Sequence, residues 1–557
     1  MTWQSIADSH VNEPTGLIEI AWNSGTRYYA LNYVRTSAQS YKGNALNISN
    51  IRSSVGDITR TYERNKISII FNDSDYEFRT LEENETVGFT GISVIVTVSF
   101  RDDAWATSQV VFTGQIYDWR RLDNLQFEIM VEEVSKNLEN EYPWKEVDRT
   151  DYATAHSSAI GKTILIPYGT ISASGLSGDG AFGYPSLYME TGLPFVDTTQ
   201  DAEQHLVGLQ TAAITVDRVY IDDVVKVEGG GNDYTISTQV IGGFTHTEIH
   251  WEAGVRPTET SKVTCDITFG ARLPVEAIKH FLENFPSWAS GDFNAASYNA
   301  AHTKEGDRSY TFDGALCEKK ALTAILDEWR DEYELDIYWN TAGEVCFNYL
   351  SSILPASTNH YTAELDILSD FDSDPQVSQI MNHMKYGFNF HYAKSYYYNF
   401  DTYEDTDSQT KYGKTVKLFK GFRWIRSSTI AHDIASRKVI RFKTPITFDA
   451  ILFPLKTFSD NLTDPLKITH FTGAGSAGYA KKLFQIRAAG FNLTNYTNEM
   501  LLEDASSFFG AACILGDDTV QAATWATASS GDRDYCYMCD VTSEQFLDGE
   551  PGKRLFD

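Results

Sequence analysis

Between residues 17 and 145 apolar side chains recur at every second position. In "GISVIVTVSF" Ile92, Val94, Val96, Val98 and Phe100 fall on one side, and in "NLQFEIMVEEV" Leu125, Phe127, Ile129 and Val131 do the same. A period of two is the spacing of a strand with one buried face. Polar runs such as "NDSD" (72–75) and "LDN" (122–124) divide these stretches and read as turns. The pattern predicts an antiparallel barrel or sandwich.

Residues 150–205 lose the alternation and read as loops, with "SASGLSGDGAFGYPS" the loosest part. Strands resume from 212 in "AAITVDRVYIDD", "NDYTIST", "TEIHWEAG" and "KVTCDITFG", two of them parted by the turn "EGGGND". At 272 the period changes. In "LPVEAIKHFLENF" the residues Val275, Ile278, Phe281, Leu282 and Phe285 have helical spacing, as do Leu322, Ile325, Leu326 and Trp329 in "CEKKALTAILDEWRDEY" (317–333). A strand "LDIYW", a turn "NTAG" and a strand "EVCFNYL" complete an α+β module. From 376 to 510 strands dominate again. One helix interrupts them in "SSTIAHDIASRKVIRFK", with Ile430, Ile434 and Val439 on one face and its end before Pro445. "FGAACILGDD" opens a Gly-, Ala-, Asp- and Ser-rich stretch with no readable element. No short-period repeat is present.

A chain of 557 residues exceeds one ordinary core, so several domains are expected. Aromatic residues make up 13% of it, which favours pleated surfaces and a β-rich protein. The formal net charge is −30, from 76 acidic and 46 basic residues. That balance argues against nucleic-acid binding through a broad basic face and favours general solubility. No apolar run is long enough for a spanning helix, and "MTWQSIADSH" lacks the basic start and apolar centre of a secretory signal. Synthesis in the cytoplasm is the expectation. Six cysteines (Cys265, Cys317, Cys346, Cys513, Cys536, Cys539) are too sparse for a disulfide scaffold and suit a reducing compartment.

Several short stretches raise the question of chemistry. "HSSAIGKT" (156–163) ends in the Gly-Lys-Thr of a phosphate loop. Such a loop needs Gly where His156 stands and a helix after the Thr, whereas "TILIPYG" is strand-like and broken by Pro167. A turn feeding a strand is the reading. "HTEIH" puts His246 and His250 on one strand face around Glu248, without the helix or glutamate position of a zinc protease. Cys536 and Cys539 in "YCYMCD" have no second ligand pair nearby, so plain cysteines are the first reading and a metal site or disulfide the second. "FDSDP" (371–375), "NDSD" and "YEDTDSQ" (403–409) lack the twelve-residue calcium loop and read as turns. Cys317 stands at a predicted helix start, without an identifiable His partner. No carboxylate pair for sugar hydrolysis can be picked out of 76 acids. The sequence therefore yields no catalytic, cofactor-binding or metal-binding residue. A non-enzymatic building block is expected.

Longer segments, taken in order, resemble one family. "VFTGQIYDWRRLDNLQFEIMVEEVSKNLENEYPW", with Phe112, Gly114, Ile116 and Pro143, is similar to the end of the first domain in tail hub proteins of tailed bacteriophages and related gene transfer particles. "AIGKTILIPYGTI" resembles that family's step into its second domain, ending here at Pro167-Tyr168-Gly169. "ITVDRVYIDDVVKV" with "NDYTIST" is similar to a strand pair that usually has Gly where Asp223 stands. The stretch from "LPVEAIKHFLENF" to "EVCF", with Asp292, Tyr298 and Gly343, resembles the α+β module. "NHMKYGF", "DTDSQTKYGKTV" and "DPLKITH" resemble a last barrel, with Thr463-Asp464 in place of the usual Gly-Asp. The likeness spans about residues 15–500.

The resemblance implies a mainly β, multidomain fold with two tail-tube-like β-barrels, a β domain and a small α+β domain. The expected boundaries are 1–148 for the first barrel, 149–270 for the β domain and 271–350 for the α+β module. The second barrel with its flanking helix would take 351–510, and 511–557 would be an extension. It also implies a homotrimeric baseplate hub in the virion tail tip. That hub would join tail tube and distal tail protein to tip or fibre proteins. It would line the channel for the tape-measure protein and for DNA in transit, with no stable membrane insertion. Two other readings stand beside it. One is a tail-borne cell-wall hydrolase. The other is a carbohydrate-binding protein, suggested by the tyrosines of "KSYYYNFDTY" (394–403).

Overall fold

The structure is a computed structural model. It describes residues 14–505 outside short stretches, among them 101–107, 174–179, 185–191, 350–358 and 472–478, together with three short strands between 513 and 546. The chain divides into two compact units. The first takes Met1–Ser135, Asp336–Ile380 and Thr444–Asp557, and the second takes Lys136–Leu335 and Met381–Lys443. The protein is mainly β with a small helical part, and two of its sheets are curled.

In the first unit a seven-stranded antiparallel sheet runs in the order Gly25–Ala30, Pro14–Trp22, Ser93–Phe100, Gln109–Leu122, Gln126–Glu133, Lys66–Asn72, Ala45–Ile48. The alternation sets its register. Ile18 faces Val96, and Ile129 faces Ile69, so apolar residues align across strands on the core side. The Ser93–Phe100 strand goes further than its alternation suggested. Thr97 and Ser99, on the polar side, are buried as well. Leu125 departs from its expected place on the strand face: it has a φ of 60° and is exposed at the turn. The short helix Glu77–Asn84 closes the core with Phe78, stacked on Phe127 at 5.3 Å.

A second sheet takes Asn359–Thr362, Pro465–His470, Tyr479–Asn492, Thr497–Asp504, Ile446–Pro454 and Asp372–Gln376. Only the first pair is parallel. Strand Ile51–Val55, from far upstream, joins this sheet beside residues 488–491. A bulge between Ile486 and Ala488 re-aims the long strand where its partner changes. One hydrophobic core runs through the unit, from Val94 and Ile116 to Ile486, Met500 and Leu502. The "FDSDP" stretch, expected as a turn, contributes the strand Asp372–Gln376 at the sheet edge. An edge tolerates Pro375, whose nitrogen has no hydrogen to donate.

Three sheets of three or more strands lie in the described residues of the second unit. Five strands run in the order Val224–Lys226, Thr215–Ile221, Val263–Phe269, Ile166–Ile171, Gly314–Leu316. Four run Phe195–Asp197, Gln204–Gln210, Phe244–Trp251, Tyr234–Ile241, and three run Tyr396–Glu404, His383–His391, Lys417–Gly421. Helices Pro274–Asn284 and Ser428–Phe442 bury the apolar stripes read from sequence. The helix expected from 317 begins instead at Leu322, because Lys320–Ala321 is extended and pairs with Glu141–Tyr142. A helix not read from sequence, Ala295–Arg308, fills the gap between the first two helical stretches.

The range 351–510 contributes to both units, since residues 381–443 pack in the second. That excursion leaves and returns at one place, where the Met381 N–H donates to the Phe442 carbonyl at 2.8 Å. Among the described residues no helix is long and apolar enough to cross a membrane.

Candidate functional site

The positions flagged for chemistry serve as turns, caps and core. Gly161 lies in a turn, Thr163 bridges to Glu146, and the strand Ile166–Ile171 follows. Among the described residues a strand, not a helix, follows the Gly-Lys-Thr, and the Lys162 ammonium lies over the Tyr184 ring at 5.6 Å. His246 is buried on the Phe244–Trp251 strand, 2.6 Å from the Tyr152 hydroxyl, and burial pushes its pKa down to about 4. His205, on the next strand, accepts from the Trp251 indole N–H at 3.0 Å, and burial pushes it down to about 3. Both are neutral core histidines. Among the described residues no group of three or more His, Cys, Asp or Glu is placed to hold a metal.

Cys265, Cys317 and Cys346 are buried free thiols. Cys317 follows a strand and does not open a helix, and burial raises its pKa to about 12, so it is a poor nucleophile. Cys539 lies on the strand Tyr537–Asp540, opposite Cys513 in the backbone register, and Cys536 lies outside the described residues. Two acidic runs are helix caps. Asp73 accepts the Phe78 N–H, and Asp405 accepts the Ser408 N–H, each at 2.8 Å.

A dense polar constellation sits on one face of the helix Leu322–Tyr333. Glu328, Asp331 and Glu332 are three and four residues apart, so a single face carries all three. Glu332 accepts the backbone N–H groups of Arg423 and Trp424, both at 2.9 Å. Glu328 accepts the Trp424 indole N–H at 2.9 Å and pairs with Lys320 at 2.6 Å. Asp331 takes Lys438 at 2.5 Å and also contacts Lys420. The Tyr333 hydroxyl donates to the Trp424 carbonyl at 2.7 Å. These bonds fix the segment 417–443 to the helix.

Burial raises the Glu328 carboxyl, but Lys320 and Arg423 outweigh it and hold the group below its usual range. Burial, with Glu328 beside it, pushes Glu332 up to about 8 and prevails over its two backbone donors. A shifted carboxyl in an open cleft would mark a catalytic acid. Glu332 has no open cleft: it is 2% exposed and both oxygens are already engaged. The arrangement is a buried rivet. Sequence reasoning missed it because each of its charges, taken singly, reads as a solvated helix face.

The strands Ala45–Ile48, Asn359–Thr362 and Asp372–Gln376 end their sheets. A terminal strand offers unpaired N–H and C=O groups to another chain.

No family model matches the chain, and no curated protein matches it. Among solved structures it is similar to the 43 kDa tail protein of prophage MuSo2 from Shewanella oneidensis. The identity is 8% and the TM-score 0.36, over 89% of this chain and 99% of that one. It is also similar to a tail protein from Neisseria meningitidis MC58, at 9% identity and a TM-score of 0.38, over 89% and 98%. The virion of a native gene transfer agent particle gives 10% identity and a TM-score of 0.39, over 68% and 93%. These three structures are a prophage tail protein, a second tail protein and a gene transfer agent particle.

Proposed function

We propose that this chain is a non-enzymatic structural protein of a phage virion. In this reading it is the baseplate hub of the tail tip, and three copies form a ring. The ring joins the tail tube and distal tail protein to tip or fibre proteins, and lines the path of the tape-measure protein and of DNA. One observation carries the reading. The first and last stretches of the chain build two curled sheets around one core, and strand Ile51–Val55 is shared into the later sheet. Two tube-like sheets per subunit, in three copies, give a six-fold-like ring that can seat on a six-fold tube. Such a ring closes through heterologous contacts, a standard way to end a tube. The net charge of −30 suits a wall that DNA passes without sticking.

The test is the mass of the purified protein, alone and mixed with tail-tube or distal tail protein. Three chains of 62.6 kDa, or three copies captured on a six-copy ring, support the hub. A single chain that ignores both proteins sinks it. Peptidoglycan release by the protein would instead favour the hydrolase, and tight DNA binding to the ring at low salt would refute the repelling wall.

A further inference from the structure

Asn65 stands where the chain passes from one sheet of the first unit to the other. Before it, the strand Tyr62–Glu63 pairs with Ser54 and Val55, beside the second sheet. After it, Lys66–Asn72 pairs into the seven-stranded sheet. A residue at such a crossing leaves both ladders, so its polar groups need partners of their own. The Asn65 carbonyl has one, accepting the Glu133 N–H at 3.0 Å. The side-chain oxygen has none. Asn65 is 5% exposed, and among the described residues no protein donor reaches its Oδ1.

A cavity of about 20 Å³ lies beside this residue. Ser53 and Phe491 line it from the second sheet, Thr113 and Glu133 from the first, and Thr341 from the turn after the strand Leu335–Trp339. The Thr113 hydroxyl donates to the Thr341 carbonyl at 3.0 Å and keeps lone pairs that can accept. The lining thus offers acceptors in Asn65, Thr113 and Glu133 and a hydroxyl donor in Ser53. One water needs roughly 10–15 Å³ of such space, so the cavity suits a single water and is too small for an organic ligand. An apolar hole of this size would stay dry, whereas this one is polar. Only one carboxylate lines it, and among the described residues no group of three or more His, Cys, Asp or Glu is placed to hold a metal.

We infer that one resident water binds in this cavity, donates to Asn65 Oδ1 and clamps the crossing between the two sheets. A bridging water of this kind holds nearly as well as a direct hydrogen bond. It meets the strand Ile51–Val55 through Ser53, the first sheet through Asn65 and Thr113, and the turn through Thr341. The seam of the first unit is therefore a hydrated joint inside an otherwise apolar core.

The test begins with a high-resolution crystal structure of the full chain. The expected result is density for one water within hydrogen-bond distance of Asn65 Oδ1. A cavity without density overturns the inference. So does an Asn65 side chain turned onto a protein donor, or a cation ringed by oxygens at about 2.3–2.6 Å. In solution, magnetic relaxation dispersion of water counts the long-lived internal waters. Asn65→Leu removes the acceptor and should lower that count by one. The amides of Ile51–Val55 should then exchange about fivefold faster, the equivalent of one net hydrogen bond. An unchanged count overturns Asn65 as the anchor, and a lower count with unchanged exchange overturns the clamp. If the variant does not fold, the structure of the natural chain decides.

Discussion

Glu305 caps a helix that is not its own. Its buried carboxylate accepts the Val275 N–H through both oxygens, at 2.9 and 3.0 Å. The helix Pro274–Asn284 opens at Leu273, which has no side-chain acceptor to offer, and Pro274 has no N–H to satisfy. The missing cap comes from the helix Ala295–Arg308, and the carboxylate also meets the positive end of the helix dipole.

Glu305→Ala should therefore destabilise the second unit by about 1–3 kcal/mol, by orphaning a buried donor and emptying a buried site. Glu305→Gln keeps one acceptor oxygen and should recover part of the loss. Urea midpoints of the three chains check this. Equal midpoints for Ala and the natural residue would show that the cap carries no stability.

Arg487 is held between Asp336 at 3.6 Å and Glu503 at 3.3 Å, and all three side chains are at most 1% exposed. Arg487→Met would leave two carboxylates in the core of the first unit. A loss of about 3–5 kcal/mol is expected, the cost of breaking a buried ionic cluster. The same denaturation assay reads it, and a loss below about 1 kcal/mol would contradict this account.

The second unit should be most stable in mildly acidic solution. Glu332 titrates higher folded than unfolded, so its contribution is whole below the ordinary carboxyl range and is lost as pH rises to about 8. His246 titrates lower folded than unfolded, so its contribution is whole above the ordinary histidine range and is lost as pH falls to about 4. Glu332→Gln should flatten the alkaline limb, worth on the order of a few kcal/mol, and leave the acid limb in place. Denaturant midpoints from pH 4 to pH 9 separate the two.

Gly169 occupies φ 66°, and a Cβ there would collide with the Phe312 carbonyl and the Asp313 carboxylate. Gly169→Ala should lower stability by at least about 2 kcal/mol, from the left-handed backbone and the clash together. A thermal melt shifted by less than a degree would mean that the strand can move aside.

Some of this was legible in the sequence and some was not, for physical reasons. The helix Ser428–Phe442 announced itself because its apolar stripe has helical spacing and Ser427 caps it, accepting the Ile430 N–H. The helix Ala295–Arg308 has no such stripe: alanines and short polar residues cover it, and only Ala301 and Glu305 are buried. Its one readable signal was Asn294, whose side chain accepts the Ser297 N–H. Glu305, Glu332, Arg487 and Glu503 were invisible for a common reason. A charged residue reads as surface until its partners, tens or hundreds of positions away, are known to surround it.

The pairing of Ile51–Val55 with residues 488–491 sets an order of events during synthesis. The upstream strand leaves the ribosome first, and its partner follows roughly 430 residues later. At about 5–20 residues per second that is a wait of about 20–90 s. For that interval the second sheet of the first unit does not exist, whereas all of the second unit has already been made by residue 443. The unit begun second is thus ready to fold first, and a nascent chain stalled near residue 485, with residue 443 just clear of the ribosome, should carry a finished second unit beside an unfinished first one.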